Sequence, residues 1–181
     1  MRRSVPEVAV VGVGSLGSMA LWTLARRGVP VIGIEQFEPG HDRGSGGGES
    51  RIIRSCYAEG PHYVSLIGRS FELWREFEAD TGTNVLTPCP AAYIAPSGNP
   101  YLRSVIEVAD RFDLPHQILQ GAEAAARVPQ HVLDPDDVVF VDPVAGAIRP
   151  ELAVRTAAER ARELGAELVT GVRVESLEED G

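Results

Sequence analysis

The feature that most constrains the fold is a glycine-rich turn near the start of the chain, set between an apolar run and a helical pattern. Residues 7–13, EVAVVGV, form a Val-rich run of the kind expected for a strand buried on both faces. After the turn, SMALWTLARRG repeats apolar residues at helical spacing up to Gly28, and a second apolar run, VPVIGIE, follows. This order of strand, turn, helix and strand predicts the opening of a dinucleotide-binding unit.

The turn carries the G-x-G-x-x-G pattern on Gly12, Gly14 and Gly17. Gly12 allows the tight turn, Gly14 lets the backbone approach a pyrophosphate, and Gly17 permits close packing of helix on strand. The amino end of the helix then faces the phosphate charge. Glu35 ends the second apolar run. Its distance in sequence from Gly17, the last glycine of the motif, is close to that expected for a residue that accepts hydrogen bonds from the ribose hydroxyls. Its carboxylate would repel a 2′-phosphate, which disfavours NADP.

The segment after Glu35 has no periodicity. Residues 36–50 read QFEPGHDRGSGGGES, and a structureless stretch of this length inside a compact domain is usually functional or disordered. It opens directly onto Arg51 and Arg54, which are separated only by two isoleucines. A guanidinium fork can bind a carboxylate bidentately. From the residues alone, however, solvated surface charge is the plainer interpretation of both arginines.

The remaining chain alternates helical and strand patterns without internal repeats or a long linker. Helical periodicity predicts helices over 61–80, 99–112, 121–127 and 150–164, the first with an apolar stripe of Val64, Ile67, Phe71, Trp74 and Phe77. Strand patterns occupy 85–95, which is interrupted by prolines, then 116–119, two strands within VVFVDPVAGAIRP joined by a turn at Ala145-Gly146, and AELVTGVRVESLEEDG up to Gly181.

Composition excludes several classes of protein. Hydrophobic residues make up 44% and charged residues 24%, as in ordinary globular domains, and no apolar stretch approaches the roughly 18 residues of a membrane span. The net charge of −9 argues against a nucleic-acid partner. Cys56 and Cys89 lack metal-ligand spacing and disulfide density, so no metal site is predicted. The opening residues lack the features of a signal peptide, and we expect a cytoplasmic protein.

Taken together, these elements resemble the flavin-dependent amine oxidases of the sarcosine oxidase and N-methyltryptophan oxidase group, within the D-amino-acid-oxidase-like family. The resemblance extends from residue 7 along essentially the whole chain. The glycine motif is widely shared, but the Gly/Ser-rich loop that runs into RIIR and its following helix is specific to this group. The matching segments are VVGVGSLGS, Glu35, Pro39-Gly40-His41, Gly44-Ser45, Arg51–Arg54, Tyr57, EGPHYV, SFELWREFE and VDPVAGAIRP.

The resemblance implies that FAD is the cofactor and assigns roles to particular residues. Arg51 and Arg54 are the implied active-site residues, with Arg51 near the isoalloxazine and Arg54 on the substrate carboxylate. The cofactor contacts that it implies, together with those of the glycine motif, are Gly12, Gly14, Ser15, Leu16, Gly17, Glu35, Gln36, His41, Gly44, Ser45, Ser50, Arg51 and Val174.

Two departures from the family pattern are visible. Gly46 and Gly47 stand where many relatives carry histidine before the active-site arginine, so no histidine there is expected to tune the flavin. The relatives are also about twice as long, and their second halves supply a cysteine that attaches FAD covalently and lysines that help activate oxygen and bind the carboxylate. All 17 basic residues of this chain are arginine, and neither cysteine matches the attachment position.

We therefore predict an α/β fold with a Rossmann-like FAD-binding domain of the glutathione-reductase type. This domain is expected to be discontinuous, built from 1–58 and 146–181, while 59–145 form part of an inserted α+β substrate domain. The implied activity is oxidation of the C–N bond of a small or N-methylated amino acid to an imine, with transfer of a hydride equivalent to FAD and formation of hydrogen peroxide by oxygen.

Two alternatives remain open at this point. The chain could be a noncatalytic nucleotide-binding fragment that needs a partner, because it lacks the family's second half. It could also be an NAD-dependent dehydrogenase, although that interpretation gives no account of the loop at 44–54. The expected partner is a small amino-acid substrate, with no nucleic acid and no membrane. An incomplete sheet would expose a strand edge and favour self-association or a complementary C-terminal chain.

Overall fold

The computed structural model describes residues 5–178 and divides into two compact units. The first takes in Met1–Arg51, Glu78–Val85 and Ile148–Gly181, as far as these are described, and the second takes in Ile52–Phe77 and Leu86–Ala147. The assignment of an FAD-binding domain to 1–58 and 146–181, and of a substrate domain to 59–145, stays a prediction.

The described elements alternate along the chain, which confirms the predicted α/β class. The strands are β1 Val8–Val11, β2 Val31–Ile34, β3 Arg51–Ile53, β4 Leu86–Pro88, β5 Ala91–Pro96, β6 Gln117–Gln120, β7 Asp137–Asp142, β8 Gly146–Ile148 and β9 Glu167–Val169. The helices are α1 Ser15–Arg26, α2 His62–Thr81, α3 Pro100–Arg111, α4 Gly121–Arg127 and α5 Pro150–Glu163.

The first unit contains a parallel sheet in the order β1-β2-β9. Helices α1 and α5 pack against each other, and Leu21 and Ala157 are fully buried in this unit. Gly12 has a φ of +85°, a left-handed conformation that glycine adopts without strain. A Cβ at Gly17 would overlap the carbonyl oxygen of Gly12, so only glycine lets α1 approach the turn this closely.

Strand β1 is less buried than the sequence predicts. It pairs with β2 alone within residues 5–178, and Val8 and Val11 are 37% and 49% exposed. The expectation of a strand covered on both faces is therefore wrong for these two residues. An apolar run indicates that a strand belongs in a core. Which segments cover the strand, however, depends on tertiary packing and not on the apolar run itself.

The second unit is built around an antiparallel sheet in the order β5-β7-β6. Strand β7 lies in the middle, and Val138 to Val141 are buried. Helix α3 begins after Asn99, whose side chain accepts the Leu102 N–H at 3.1 Å as an N-cap. One core cluster of this unit joins Cys56, Leu102, Val105, Ala109, Val138 and Phe140.

The predicted helices and most strands are confirmed within a few residues, with two corrections. The turn after β7 lies at Pro143-Val144, and Gly146 is the first residue of β8. Strand β8 leaves the sheet of β7 and joins a separate sheet in the order β3-β8-β4. The final strand pattern yields only β9, since residues 172–178 are irregular, and its last residues, 179–181, lie outside the described part.

Burial of the apolar stripe on α2 is partial. Phe71 and Phe77 are buried, whereas Val64, Ile67 and Trp74 are half-buried.

Within residues 5–178, no helix has the length and hydropathy needed to cross a membrane. In the same residues, no group of three or more His, Cys, Asp or Glu side chains is placed to hold a metal ion.

Candidate cofactor and substrate sites

A pocket of about 390 Å³ lies in the first unit at the carboxyl ends of its parallel strands. This is the edge at which open α/β sheets bind their ligands, and the volume falls in the range of small-molecule sites. The lining residues are Val11, Gly12, Gly14, Ser15, Ile34, Glu35, Gln36, Gly40, His41, Arg43, Gly44, Ser45, Gly46, Gly47, Glu151, Val154, Val172, Arg173 and Val174.

The amino end of α1 opens onto this pocket without a side-chain cap. Gly14 is the N-cap residue, no side chain hydrogen-bonds there, and the first turn contains no acidic residue. The first backbone N–H groups of the helix are therefore available for an anion, which the helix dipole favours. Arg43 and Arg173 add positive charge to the same lining. These features fit the pyrophosphate of a dinucleotide.

Glu35 is held at the end of β2 by backbone hydrogen bonds. It is 5% exposed, its Oε2 accepts the Val13 N–H at 2.7 Å, and its Oε1 accepts the Phe37 N–H at 3.1 Å. Each carboxylate oxygen can accept a second hydrogen bond. Glu35 can therefore remain bound to the backbone and still accept a ribose hydroxyl, as the sequence predicts for this position.

His41 lines the pocket next to Glu35. Its Nδ1 accepts the Arg43 N–H at 3.0 Å, and its Nε2 lies 3.5 Å from Glu35 Oε1. Since Nδ1 is an acceptor, the Nε2 of this histidine carries the proton and directs it towards the carboxylate. The ring also packs edge-on against Phe37 at 4.9 Å between centroids. His41 thus orients Glu35 in addition to lining the pocket.

The Gly/Ser-rich loop forms another wall of the pocket. A Cβ at Gly46 would overlap the Ser15 hydroxyl, so a side chain at this position would require the Ser15 hydroxyl to rotate away. The Gly48 N–H donates to Glu151 Oε1 at 2.8 Å and ties the loop to α5. Arg51 turns back on the loop, where it donates to the carbonyl oxygens of Ser45, Gly47 and Ser50.

The pocket brings together most of the predicted cofactor residues but not all of them. Those that line it are Gly12, Gly14, Ser15, Glu35, Gln36, His41, Gly44, Ser45 and Val174. Those that do not are Leu16, Gly17, Ser50 and Arg51; Leu16 is 89% exposed, and Gly17 packs against Gly12. The cofactor roles of all these residues stay predictions.

The second unit places Arg54 among three tyrosines. Its guanidinium carbon lies over the Tyr57 ring at 4.4 Å from the centroid and over the Tyr93 ring at 5.3 Å. Its Nη1 donates to the Tyr101 hydroxyl at 3.3 Å. Aromatic faces attract a cation, and burial strengthens that attraction. The tyrosines therefore hold this half-buried arginine in one place.

The electrostatics of this cluster leave Arg54 charged. Burial by itself lowers the pKa of Arg54, but interactions with Tyr93, Tyr57 and Tyr101 outweigh it and raise the pKa above its ordinary value. Within the described residues, no carboxylate lies in ion-pair range of Arg54. A half-buried guanidinium without an acidic partner is a suitable receptor for a carboxylate ligand.

A buried carboxylate fixes the backbone next to Arg54. Asp142 is fully buried, its Oδ2 accepts the Ser55 N–H at 2.6 Å, and its Oδ1 accepts the Val144 N–H at 3.0 Å. These bonds connect the end of β7 to the segment after β3. Asp142 therefore positions the residue that follows Arg54, and it does so without contacting the guanidinium.

Several lining and contact residues were not predicted from the sequence. Arg173 had the clearest signal, since it directly precedes Val174 within the predicted final strand pattern. Arg43 lies in the loop that was singled out, whereas Glu151 looked like an ordinary residue of a helix first turn. Tyr93 and Tyr101 gave no signal, because they are distant from Arg54 in sequence and meet it only in the folded unit.

The parallel sheet, the glycine turn and the uncapped helix are the features of a dinucleotide-binding fold. Comparison with known proteins is more specific: residues 7–181 match the DAO family, described as FAD dependent oxidoreductase. The chain belongs to this family. The family resemblance and FAD as the cofactor are thus confirmed, and the alternative of an NAD-dependent dehydrogenase is not supported.

Curated relatives agree with this assignment. The chain is 38% identical to the monomeric sarcosine oxidase of Streptomyces avermitilis over 162 residues, which cover 90% of this chain and 42% of that protein. It is 31% identical to the N-methyl-L-tryptophan oxidase of Yersinia pestis over 172 residues, which cover 95% of this chain and 46% of that protein. The chain thus spans less than half the length of the curated relatives it matches.

Solved structures show the same fold. A variant of NikD, an amino acid oxidase of nikkomycin biosynthesis, superposes with a TM-score of 0.81 at 21% identity, covering 92% of this chain and 43% of that one. The L-proline dehydrogenase of P. horikoshii superposes with a TM-score of 0.79 at 25% identity, covering 97% and 46%. The predicted Rossmann-like FAD-binding fold is confirmed.

Proposed function

We propose that this chain forms the cofactor-binding and substrate-anchoring part of an FAD-dependent oxidase of small or N-methylated amino acids. The observation that carries the proposal is Arg54, a half-buried cation held by three tyrosines, with no carboxylate in ion-pair range among the described residues. The matched relatives are named for oxidation of sarcosine and N-methyl-L-tryptophan, both of which carry a carboxylate and a secondary amine.

In this proposal, each part of the chain has a separate task. The amino end of α1 and the Gly/Ser-rich loop bind the pyrophosphate, Glu35 accepts the ribose, and Val174 contacts the adenine. Arg54 binds the carboxylate of the substrate and thereby fixes the amine-bearing carbon. When bound, FAD would supply the redox chemistry by accepting a hydride equivalent from the C–H bond beside the amine, and oxygen would reoxidise the reduced flavin. The products are an imine and hydrogen peroxide.

The partner and location belong to the same proposal. We infer that the active protein is completed by a second copy or by a complementary C-terminal segment, because β1 has one neighbouring strand in the described part and exposes Val8 and Val11. We also propose a cytoplasmic location for the protein.

The test is flavin binding followed by turnover. The purified chain is titrated with FAD while the flavin absorbance is recorded, and peroxide release is then measured with sarcosine and other N-methyl amino acids. Arg54→Gln is expected to lower kcat/KM for these carboxylated substrates about 10-fold to 100-fold, mainly through KM, because a charge-assisted hydrogen bond is lost. It is expected to leave FAD binding intact.

Arg111→Gln is the matched control. Arg111 lies on α3 in the same unit and stacks over Phe112 at 5.7 Å, so the substitution removes another ring-stacked arginine away from the proposed site. Equal losses for the two variants would contradict the role of Arg54. Flavin binding without peroxide release would favour the alternative of a noncatalytic nucleotide-binding fragment, and failure to bind FAD would contradict the cofactor site itself.

A further inference from the structure

The tyrosines around Arg54 come from three different parts of the second unit. Tyr57 follows β3, Tyr93 lies on β5, and Tyr101 lies in the first turn of α3. All three contact the same guanidinium, yet their hydroxyl groups have different surroundings. These differences decide which of them can also contact a ligand of Arg54.

The Tyr93 hydroxyl is already committed. It donates to the carbonyl oxygen of Cys56 at 2.7 Å, and the ring packs edge-on against Phe140 at 5.5 Å between centroids. Burial raises the pKa of Tyr93, although the nearby Arg54 charge acts in the opposite direction, so the hydroxyl keeps its proton for this bond. Tyr93 therefore supports the guanidinium with its ring face and has no proton to give a ligand.

Tyr101 differs from Tyr93 because its oxygen acts as the acceptor. It receives the hydrogen bond from Arg54 Nη1, which leaves the phenolic proton of Tyr101 directed elsewhere. The residue is 43% exposed, so its side chain is accessible to a ligand from solvent. A carboxylate that binds beside Arg54 Nη1 would meet the Tyr101 proton as a second donor.

The position of Tyr101 on its helix adds to this effect. Pro100 is the first residue of α3, and Tyr101 is the second, so its side chain leans towards the amino end of the helix. The partial positive charge of a helix amino end favours an anion within the first turn. The helix dipole is a weaker contribution here than the Arg54 charge, because the Asn99 side chain already accepts the Leu102 N–H at this helix end.

We propose that Tyr101 and Arg54 together form a two-point carboxylate site, in which the Tyr101 hydroxyl donates a hydrogen bond to the same carboxylate that Arg54 binds. Tyr57 and Tyr93 hold the guanidinium through their ring faces. The inference rests on the proposed function of Arg54 and deepens it. The substrate class is a monocarboxylate whose carboxylate accepts hydrogen bonds from both a cation, Arg54, and a neutral donor, Tyr101. Charge-assisted O–H···O bonds are short and strong, which makes the second donor effective.

The test measures anion binding directly and needs neither flavin nor turnover. The 15N-labelled 181-residue chain is titrated with sodium acetate at constant ionic strength, set with sodium chloride. The backbone amide shifts of Ser55 and Leu102 report on binding at the site. Tyr101→Phe keeps the ring but removes the phenolic donor, and it is expected to raise the acetate Kd about fivefold to tenfold.

Tyr63→Phe is the matched control for loss of a tyrosine hydroxyl. Tyr63 has a similar exposure, 41%, and lies on α2 with its ring 6.5 Å from that of Tyr57. The acetate Kd of Tyr63→Phe is expected to equal that of the unmodified chain. The amide spectrum of each variant shows whether the second unit remains folded, and Tyr101→Phe preserves the ring that packs at this site.

The outcomes separate the two proposals. Saturable acetate shifts that Arg54→Gln abolishes and Tyr101→Phe weakens support the two-point site. If Arg54→Gln abolishes them and Tyr101→Phe leaves the Kd unchanged, the role of Tyr101 is overturned while carboxylate binding by Arg54 stands. If the unmodified chain gives no saturable shift, or if Arg54→Gln does not alter it, the proposed role of Arg54 fails and the role of Tyr101 fails with it.

Discussion

Arg51 and Arg54 are three residues apart, but the structure uses their guanidinium groups in different ways. Arg51 is exposed and donates to carbonyl oxygens of its own loop, at 2.8 Å to Ser50 and at 3.4 Å to Ser45. Arg54 is half-buried and contacts tyrosine side chains. Arg51 therefore stabilises the loop that lines the pocket, and its predicted place near the isoalloxazine stays a prediction.

Replacing Arg51 should loosen the Gly/Ser-rich loop. Arg51→Gln removes donors to three loop carbonyls, and we expect FAD affinity to fall about threefold to tenfold, since exposed hydrogen bonds of this kind contribute roughly 0.5–1.5 kcal/mol each and part of the loss is recovered by water. Fluorescence quenching of FAD measures the affinity, and hydrogen exchange of residues 45–50 measures the loosening.

Arg69→Gln serves as the control for Arg51. Arg69 is an exposed arginine on α2, in the second unit, and it pairs with Glu72 at 2.8 Å. FAD affinity is expected to be unchanged in this variant. Unaltered affinity and unaltered loop exchange in Arg51→Gln would show that the loop is held by other contacts.

At the scale of secondary-structure elements, one carboxylate connects α1 and α5 of the first unit to the last turn of α2, whose residues from Glu78 onward belong to the same unit. Asp80, near the end of α2, accepts Trp22 Nε1 of α1 at 2.8 Å and is bound by Arg160 of α5 through Nε at 3.2 Å and Nη2 at 3.1 Å. The neighbouring Glu78 also accepts the Val85 N–H at 2.7 Å. The Asp80 bonds connect the Glu78–Val85 segment to α1 and α5 of the first unit, and the Glu78 bond closes the segment on itself.

The Asp80 connection should make stability depend on acid pH. Hydrogen bonds from Arg160 and then Trp22 lower the pKa of Asp80 below its ordinary 3.8. A carboxyl group with a depressed folded pKa stabilises the fold fully above its unfolded pKa and loses this contribution as the pH falls through the folded value. Asp80→Asn should therefore destabilise the chain at pH 7 by about 1 kcal/mol after solvent screening.

Urea denaturation at pH 7 and at successively lower pH checks this expectation. The difference in the free energy of unfolding between the unmodified chain and Asp80→Asn should be largest at pH 7. It should become smaller below about pH 4, as Asp80 becomes protonated. Asp136→Asn, an exposed carboxylate of the second unit, should show little difference at any pH. The role of the Asp80 charge would be contradicted if the difference in the free energy of unfolding between Asp80→Asn and the unmodified chain did not change with pH.

At the scale of the whole molecule, the described residues leave β1 with one free edge and two exposed valines. An open, apolar strand edge is a template for pairing with another strand. The proposal of a second copy or a complementary segment therefore has a direct consequence for the isolated chain. We expect it to self-associate, with the free edge of β1 at the contact.

Light scattering combined with size exclusion measures this association. Val8→Lys places a charge on the exposed edge strand and should shift the chain towards the monomer. Val5→Lys is the matched control, because Val5 is 83% exposed and lies before β1. A monodisperse monomer in the unmodified chain would contradict self-association. If Val8→Lys and Val5→Lys shifted the chain towards the monomer equally, the cause would be the change in net charge and not the strand edge.

Much of the fold and of the cofactor site follows from local pattern. Helix α4 was predicted at its observed bounds, and Gly12, Gly14 and Glu35, which were singled out from the sequence, line a pocket at the carboxyl ends of β1 and β2. The turn after β7 was misplaced, because Ala145-Gly146 looked like a tight turn between paired strands. Strand β8 instead pairs with β3 and β4, so Gly146 lies within a strand.

Most of the helices and strands, the family and FAD as the cofactor follow from the sequence alone, because apolar periodicity, glycine spacing and the Gly/Ser-rich loop are local features that the chain carries in any context. Tertiary structure alone decided which strands share a sheet, how Asp80 joins three helices, and that Tyr93 and Tyr101 meet Arg54. The physical reason is that contacts between residues distant in sequence depend on strand pairing and helix packing, which no local propensity encodes.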